Sequence, residues 1–188
     1  MREVSWATIE TPAGPLSAAC SQDGLAGVRF GRPPARAQRR DREADQEAEA
    51  GQARDALLAR ARAQLAEYFA GQRQTFELPI DWASVSGLRY QVLSVLGESV
   101  RYGETITYGG LARRAGVGTD EAELPARAIG QIMGSNPVPV VVPCHRVVAG
   151  NGLGGFSGGI GPELKRWLLI FEGALPPTLY WSPSGPPG

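Results

Sequence analysis

The sequence is poor in the residues that hold small or metal-bound folds together. Its 188 residues include only two cysteines and one histidine. A structural zinc site uses four cysteine or histidine ligands, and this chain has only three such residues. The sequence therefore excludes a structural zinc site of this kind. Two cysteines also cannot form the disulfide framework of a small secreted domain. Cys20 and Cys144 are therefore predicted to be free thiols in a reducing, cytoplasmic compartment, and we expect neither a metal nor another cofactor.

Long hydrophobic runs and an excess of charge of one sign are also lacking. No stretch of about 18 apolar residues occurs, which argues against a transmembrane helix, and the polar start of the chain predicts no signal peptide. The 19 basic residues balance 19 acidic ones. This balance argues against a strongly electrostatic nucleic-acid binder, although it allows a local basic face. With 43% hydrophobic and 20% charged residues, the chain has the composition of an ordinary globular protein with a core.

The pattern along the chain predicts a two-part α/β protein. Residues 1–80 begin with short strand-like segments separated by turn residues, a pattern that favours a β-meander. They continue into a helix whose apolar residues recur at helical spacing. The segment 31–54, in which five arginines at 32–42 run into five acids at 41–49, is predicted to be a mobile loop. Residues 85–174 are predicted to be mainly helical, and residues 175–188 to form a Pro/Gly-rich tail. Cys20, inside the meander, is expected to be a buried small hydrophobe.

Two short helices in the second part suggest a helix-turn-helix motif. The first, "TYGGLARRAG", ends at Gly116, and the second, "ELPARAIGQIMGSNP", has Pro125 in its first turn and ends near Asn136. The turn of residues 116–123 is longer than usual, so the pattern also fits a helical hairpin that binds nothing. The run "VPVVVP" that follows is predicted to be a buried strand leading to Cys144, and "PELKRWLLIFEG" a final amphipathic helix.

The adjacent residues Cys144 and His145 are the candidates for chemistry. A cysteine attacks as its thiolate, which needs a base or positive surroundings, and His145 and Arg146 could provide them. Neighbouring side chains point to opposite faces of an extended backbone, so His145 could serve Cys144 only through a turn or a bridging water. Glu172, at the end of an apolar helical run, is the candidate for orienting His145. An inert cysteine packed in a strand is nearly as good an interpretation, but the loop "GLGGFSGG" lets a ligand approach the backbone and favours the reactive one.

A longer set of motifs surrounds this pair. Residues 127–148, "RAIGQIMGSNPVPVVVPCHRVV", contain Pro-Cys-His-Arg-Val preceded by Asn-Pro, and Gly-Phe-Ser-Gly-Gly follows. This ordered set resembles the signature of the O6-alkylguanine-DNA alkyltransferases, or methylated-DNA–protein-cysteine methyltransferases. "RYGETITYGGLARRAG" and "KRWLLIFEG" match the helices before and after it, and the strong match covers residues 85–173. The resemblance implies a ribonuclease H-like N-terminal unit and a C-terminal domain with a winged or helix-turn-helix DNA-binding motif.

The resemblance implies a DNA-repair protein that acts once. It would bind duplex DNA in the minor groove and flip the damaged base out of the stack. It would then transfer the alkyl group of O6-alkylguanine, with O4-alkylthymine as a second candidate substrate, to Cys144. No second group is placed to remove that group, so the transfer would inactivate the protein. The resemblance further implies a cytoplasmic monomer that needs no cofactor and does not bind membranes. It leaves open whether binding to DNA is cooperative.

The resemblance also implies roles for individual residues. Glu172 would orient His145, which would deprotonate Cys144 through a water. Tyr108 would donate a proton or a hydrogen bond to the departing guanine. Asn136 would brace the turn between the recognition helix and the active-site strand, a role that is compatible with its being a helix C-cap. The remaining candidates would contact DNA (Arg127, which takes the place of the flipped base, and Ala126, Ala128, Gly130, Arg89, Arg113 and Arg114) or line the guanine pocket (Met133, Val147, Phe156 and Ser157).

Some positions depart from the family pattern. Gln131 and Ile132 are bulkier than the residues usual on the recognition helix, and Leu88 and Ser94 stand where aromatic residues are common. These departures concern groove fit and packing rather than chemistry. The main alternative is an alkyltransferase-like protein that binds damaged DNA without reacting, but such proteins lack the nucleophilic cysteine. A cysteine hydrolase would need an oxyanion hole that the motifs do not call for, and a transcription regulator of this family would need a sensor domain that is not seen.

Overall fold

The computed structural model describes residues 3–33, 48–117, 124–155, 161–177 and 182. The chain divides into two compact units between Ser84 and Val85. The first unit contains a small sheet and a helix, and the second is mainly helical, so the protein has the predicted mixed α/β fold. Within the described ranges, no helix is long and apolar enough to cross a membrane.

The first unit is built on a three-stranded antiparallel sheet, as the meander pattern predicts. Its strands, in spatial order, are β1 (Ser5–Thr11), β2 (Gly14–Cys20) and β3 (Leu25–Phe30). Because β2 is the middle strand, its side chains Leu16, Ala18 and Cys20 are fully buried. Burial raises the pKa of the Cys20 thiol to about 12, so this cysteine stays protonated and packs as the expected small hydrophobe.

A single long helix, α1 (Ala48–Phe69), packs against β1 and β2. Its residues Leu65 and Tyr68 are fully buried in the core of this unit. The prediction of a loop over residues 31–54 is wrong at its C-terminal end, because the helix already begins at Ala48. Alanine, glutamate, glutamine and arginine, which make up most of this stretch, are good helix formers even where large apolar residues are lacking. Residues 34–47, the rest of the predicted loop, lie outside the described residues.

The second unit contains four helices and one pair of short strands among its described residues. They are α2 (Gly87–Ser99), β4 (Ile106–Thr107), α3 (Tyr108–Arg114), α4 (Leu124–Gly134), β5 (Val147–Val148) and α5 (Gly161–Phe171). The helices α3 and α4 pack against each other, and both contact α2. The turn between α3 and α4 begins at Gly116, with a φ of 67°, and its residues 118–123 lie outside the description. The parallel pairing of β4 with β5 places the start of α3 beside the segment that follows Cys144.

The run "VPVVVP" is not the predicted strand. Val138, Val140 and Val142 are buried, as they would be in a core strand, but the backbone turns back on itself. Val140 has a φ of 74°, and the N–H of Val142 donates to the carbonyl of Val138 at 2.9 Å. Pro139 and Pro143, within and at the end of the run, lack the N–H groups that a strand needs for pairing. Residues 136–143 therefore form a compact loop, called the valine loop below, which leads into a single 3-10 turn at Cys144–Arg146.

The C-terminal helix α5 supplies much of the core of the second unit. Leu164, Trp167 and Leu168 are buried on it, and the chain leaves the helix at Gly173, whose φ of 76° is the left-handed conformation common at helix ends. The indole of Trp167 donates to the carbonyl of Ser182 at 2.7 Å. The Pro/Gly-rich tail therefore returns to this helix at least at that position.

Candidate active site

Cys144 lies at a cavity in the second unit. The cavity has a volume of about 800 Å³, which is within the range of small-molecule sites. The thiol is nearly closed off, with 4% of the residue exposed. The cavity is lined by Tyr108, Ala126, Arg127, Gly130, Gln131, Met133, Gly134, Ser135, Cys144 and Gly155. The described residues hold no group of three or more side chains suited to bind a metal ion.

Asn136 holds the valine loop closed on the way to Cys144. Its side-chain Nδ2 donates to the carbonyl of Val142 at 2.8 Å, and its Oδ1 accepts from the N–H of Val138 at 3.1 Å. Both ends of the loop are therefore tied to one amide. Since the loop contains several prolines and a left-handed valine, this tie determines where the following cysteine lies. The same amide also hydrogen-bonds to the Cys144 thiol and favours its thiolate.

His145 and Glu172 form a buried pair behind Cys144. The Nε2 atom of His145 lies 2.9 Å from Oε1 of Glu172, and neither side chain is exposed. The Nδ1 atom of His145 is also buried and bonds to none of the described residues. Burial lowers the pKa of His145; Glu172 raises it in part, and Arg146 and Lys165 lower it further. The imidazole is therefore neutral at neutral pH, with Nε2–H donated to Glu172 and Nδ1 able to accept a proton.

Arg146 pairs with the same carboxylate from the other side. Its Nε donates to Oε2 of Glu172 at 2.8 Å and its Nη2 to Oε1 at 2.9 Å, while Nη1 donates to the carbonyl of Val100 at 2.8 Å. Burial would raise the pKa of Glu172, but His145 and Arg146 outweigh it and hold the pKa well below its usual range. Glu172 is thus an ionised carboxylate between an imidazole and a guanidinium.

Lys165, the only lysine of the chain, is a site residue that sequence reasoning missed. It is fully buried on α5. Its ammonium donates to the carbonyls of Val147 at 2.7 Å and Gly155 at 3.1 Å. Burial lowers the pKa of Lys165 to about 8, and nearby Cys144 raises it in part. A lone lysine among the apolar residues of a helix was the available signal, because a lysine is rarely buried without a specific partner.

The groups around Cys144 act on a thiol whose anionic form is disfavoured by burial. Burial raises the pKa of Cys144, and the amide of Asn136 and the ammonium of Lys165 lower it in part. The net shift is upward, so the resting residue is a thiol. A base must therefore remove its proton when the cavity is occupied.

Tyr108 lies at the wall of the cavity, where β4 leads into α3. Its hydroxyl donates to the carbonyl of Gly155 at 3.0 Å. Burial and the proximity of Cys144 raise the pKa of Tyr108, so it remains a proton donor at neutral pH. A Cβ atom at Gly154 would lie 2.8 Å from the tyrosine ring, and the φ of Gly154 is 69°. The close approach and the left-handed backbone both require glycine at this position.

The outer surface of α4 forms one rim of the cavity. Arg127 and Gln131, one helical turn apart, are both exposed on this rim, and Ala126 and Gly130 lie on it with them. Met133 contributes to the wall from the buried side of the helix. The helix therefore presents two long polar side chains on an otherwise small surface.

The remaining predicted residues lie away from the cavity or beyond the description. Ala128 is half-buried on α4, and Val147 is fully buried in β5; neither lines the cavity. Phe156 and Ser157 lie outside the described residues. The candidate phosphate contacts are distributed over two helices: Arg89, half-buried on α2, and Arg113 and Arg114, exposed on α3.

Comparison with known proteins gives matches over both units. The family model for the DNA-binding domain of 6-O-methylguanine DNA methyltransferase matches residues 88–174, and the model for its ribonuclease-like domain matches residues 4–82. The methylated-DNA–protein-cysteine methyltransferase of Methanosarcina acetivorans is 33% identical over 90% of this chain and 98% of its own. The DNA base-flipping protein of Thermus thermophilus is 41% identical over 66% of this chain and 79% of its own.

The fold is also similar to a solved structure. The crystal structure of Mycobacterium tuberculosis OGT in complex with DNA superimposes on this chain with a TM-score of 0.68 and 31% sequence identity. The superposition covers 90% of this chain and 93% of the Mycobacterium tuberculosis chain.

Proposed function

Because the chain belongs to the 6-O-methylguanine DNA methyltransferase family, we propose that it repairs O6-alkylguanine in duplex DNA by transferring the alkyl group once to Cys144. The activity is that of a methylated-DNA–[protein]-cysteine S-methyltransferase, which reverses the damage directly. The observation that supports Cys144 as the acceptor is its position at a cavity of about 800 Å³, with the buried His145–Glu172 pair behind it.

The chemical step begins with loss of the Cys144 proton. Neutral His145 takes this proton at Nδ1, through a water, while its Nε2–H stays bonded to Glu172. The sulfur then attacks the alkyl carbon, the bond from that carbon to O6 breaks, and its electron pair stays with the guanine. Tyr108, protonated at neutral pH, gives up its hydrogen bond to the carbonyl of Gly155 and donates a hydrogen bond or a proton to the departing base. Lys165 stabilises the thiolate by its charge.

The product explains why each molecule acts once. The alkyl group ends in a thioether, which His145 and water cannot cleave because a thiolate is a poor leaving group from an alkyl carbon. Regeneration would need a second nucleophile at the same carbon. The repaired guanine returns to the duplex, and the protein is consumed.

DNA binding is proposed to use the rim of the cavity on α4. On this rim the small residues Ala126 and Gly130 let the helix lie close in the minor groove, and the long side chains of Arg127 and Gln131 face the duplex. Arg127 is the side chain that takes the place of the flipped base, and the flipped guanine enters the cavity toward Cys144. Arg89, Arg113 and Arg114 contribute phosphate contacts. The free thiols Cys20 and Cys144 suit action in the reducing cytoplasm.

The first experiment is intact-mass and peptide mass spectrometry after mixing the protein with excess duplex that contains O6-methylguanine. We expect one methyl group per molecule, located on Cys144, after which the reaction stops. The Cys144→Ser variant should bind the duplex without gaining the methyl group. The Cys20→Ser variant is the matched control and should react as the unchanged protein does.

A different outcome would assign another function. If the duplex binds and Cys144 stays unmodified, the protein is a damage binder that recognises alkylated DNA without repairing it. The similarity to the Thermus thermophilus DNA base-flipping protein makes this the outcome to test against. Repeated turnover on any substrate would instead indicate a hydrolase.

A further inference from the structure

Arg146 makes more contacts to Glu172 than His145 does. Two of its nitrogens bond to the two carboxylate oxygens, at 2.8 and 2.9 Å, and a third bonds to the carbonyl of Val100. The guanidinium is also 5.9 Å from the centroid of the Tyr102 ring. A bidentate pair of this kind fixes both the position and the plane of a carboxylate. The carboxylate that meets His145 is therefore held in place by Arg146.

The buried location makes the charge of Arg146 important as well. An unpaired carboxylate in a dry interior is costly, and Glu172 has two ways of being compensated: a guanidinium or a protonated imidazole. With Arg146 in place, the compensation is complete while His145 is neutral. A proton on His145 would then add a second buried positive charge for the same carboxylate.

We propose that Arg146 is a positioning residue for the transfer reaction: it holds the Glu172 carboxylate against His145 and keeps the imidazole neutral until Cys144 gives up its proton. This inference rests on the proposed function for its catalytic meaning. Its electrostatic part concerns the protein alone and is tested without substrate.

The other groups around the His145–Glu172 pair set the sign of the effect. They come from three places: Lys165 on α5, Cys144 in the same turn as His145, and Tyr102 before β4. Burial keeps Cys144 and Tyr102 protonated and neutral at pH 7, so the charges are those of Glu172, Arg146 and Lys165, with a sum of +1. Removing Arg146 lowers this sum to zero, which favours a proton on His145 and raises its pKa.

The test is a titration of His145 by NMR, which is unambiguous because His145 is the only histidine. In the unchanged protein we expect the neutral Nε2–H tautomer at pH 7 in the imidazole nitrogen spectrum. In Arg146→Met, which keeps bulk without charge, we expect the pKa of His145 to rise by about one to three units. In Arg146→Lys, which keeps the charge and loses the bidentate contact, the pKa should stay closer to that of the unchanged protein.

Single-turnover kinetics on O6-methylguanine duplex supply the second readout. Arg146→Met should lose rate about tenfold for each pH unit below the raised pKa, because a protonated imidazole cannot accept the thiol proton. Arg146→Lys should keep the pH profile of the unchanged protein at a lower rate.

Two results would overturn the inference. One is a doubly protonated His145 at pH 7 in the unchanged protein, a measurement that needs no variant to fold. The other is a folded Arg146→Met protein in which the His145 titration and the shape of the pH profile are unchanged. If the unchanged protein does not take up a methyl group while the His145 titration behaves as described, the proposed function fails and the role of Arg146 in setting the charge of the pair stands.

Discussion

At the scale of single residues, burial disfavours the thiolate of Cys144, and a few neighbouring groups favour it. Cys144 is nearly closed to solvent, which by itself makes it inert. Asn136 and Lys165 work against this, and neutral His145 is proposed to provide the base. The reactivity of the cysteine therefore depends on neighbours that come from three different elements, and not on the Cys-His dipeptide alone.

Replacing Lys165 tests this dependence. We expect Lys165→Met to slow the transfer about 10- to 100-fold, because the buried ammonium that stabilises the Cys144 thiolate is lost. The variant should also be less stable, by about 1–3 kcal/mol for the hydrogen bond lost at the buried carbonyl of Val147, whereas the carbonyl of Gly155 keeps its hydrogen bond from Tyr108. Lys165→Arg is the control that keeps the charge. A folded Lys165→Met protein with an unchanged single-turnover rate would show that the ammonium is only structural.

The residue scale also shows what sequence alone could predict. Cys144, His145 and Glu172 stood out because each is a rare or misplaced type in its segment, and the structure brings the histidine and the glutamate into contact. Lys165 was not predicted to be a site residue, because a lysine in an amphipathic helix is expected to lie on the solvent-exposed face. Its burial depends on the carbonyls of β5 and of the glycine-rich loop, which are remote in sequence and adjacent only after folding.

At the scale of elements, the helices were predictable and the valine loop was not. Helical spacing and terminal glycines predicted α3 and α5 closely, because local periodicity determines them. The run that leads to Cys144 is rich in valine, as a buried strand is, and Val138, Val140 and Val142 are indeed buried. Their backbone nevertheless turns, since prolines cannot pair and the side chain of Asn136 supplies the missing hydrogen bonds.

The helix α4 carries the proposed DNA contact, and Arg127 tests it. We expect Arg127→Ala to slow methyl transfer from duplex DNA by at least about tenfold, because no side chain then takes the place of the flipped guanine. The rate with a free O6-alkylguanine base, which needs no flipping, should stay within about twofold of the unchanged protein. Arg166→Ala, which removes an exposed arginine from α5, is the matched control. Equal losses with both substrates would place Arg127 in base recognition instead.

At the scale of the whole molecule, the two units carry unequal shares of the candidate chemistry. All the described site residues lie in the second unit, and the buried cysteine of the first unit is protonated and inert. The ionisable side chains buried around Glu172 therefore link the stability of the second unit to its function. The neutral imidazole of His145, which is the proposed base, is also a group that acid protonates when the unit unfolds.

This link predicts a loss of stability in mild acid. The pKa of His145 is lowered from its ordinary value of 6.5, so below pH 6.5 the unfolded chain binds a proton that the folded protein does not. Stability should then fall with pH, by at most about 1.4 kcal/mol per pH unit for this one proton. The pKa of Glu172 is lowered from 4.5, so a second loss should begin below pH 4.5. Urea unfolding at pH 7.5, 6.5 and 5.5 measures the first slope.

The single histidine makes the source of this slope identifiable. In His145→Gln the slope between pH 6.5 and pH 5.5 should largely disappear, because no other histidine is present to contribute, while the loss below pH 4.5 should persist. An unchanged protein with flat stability from pH 7.5 to 5.5 would mean that His145 takes up its proton inside the fold. In that case Glu172 would already be compensated by a charged imidazole, and His145 could not act as the base for Cys144 in that pH range.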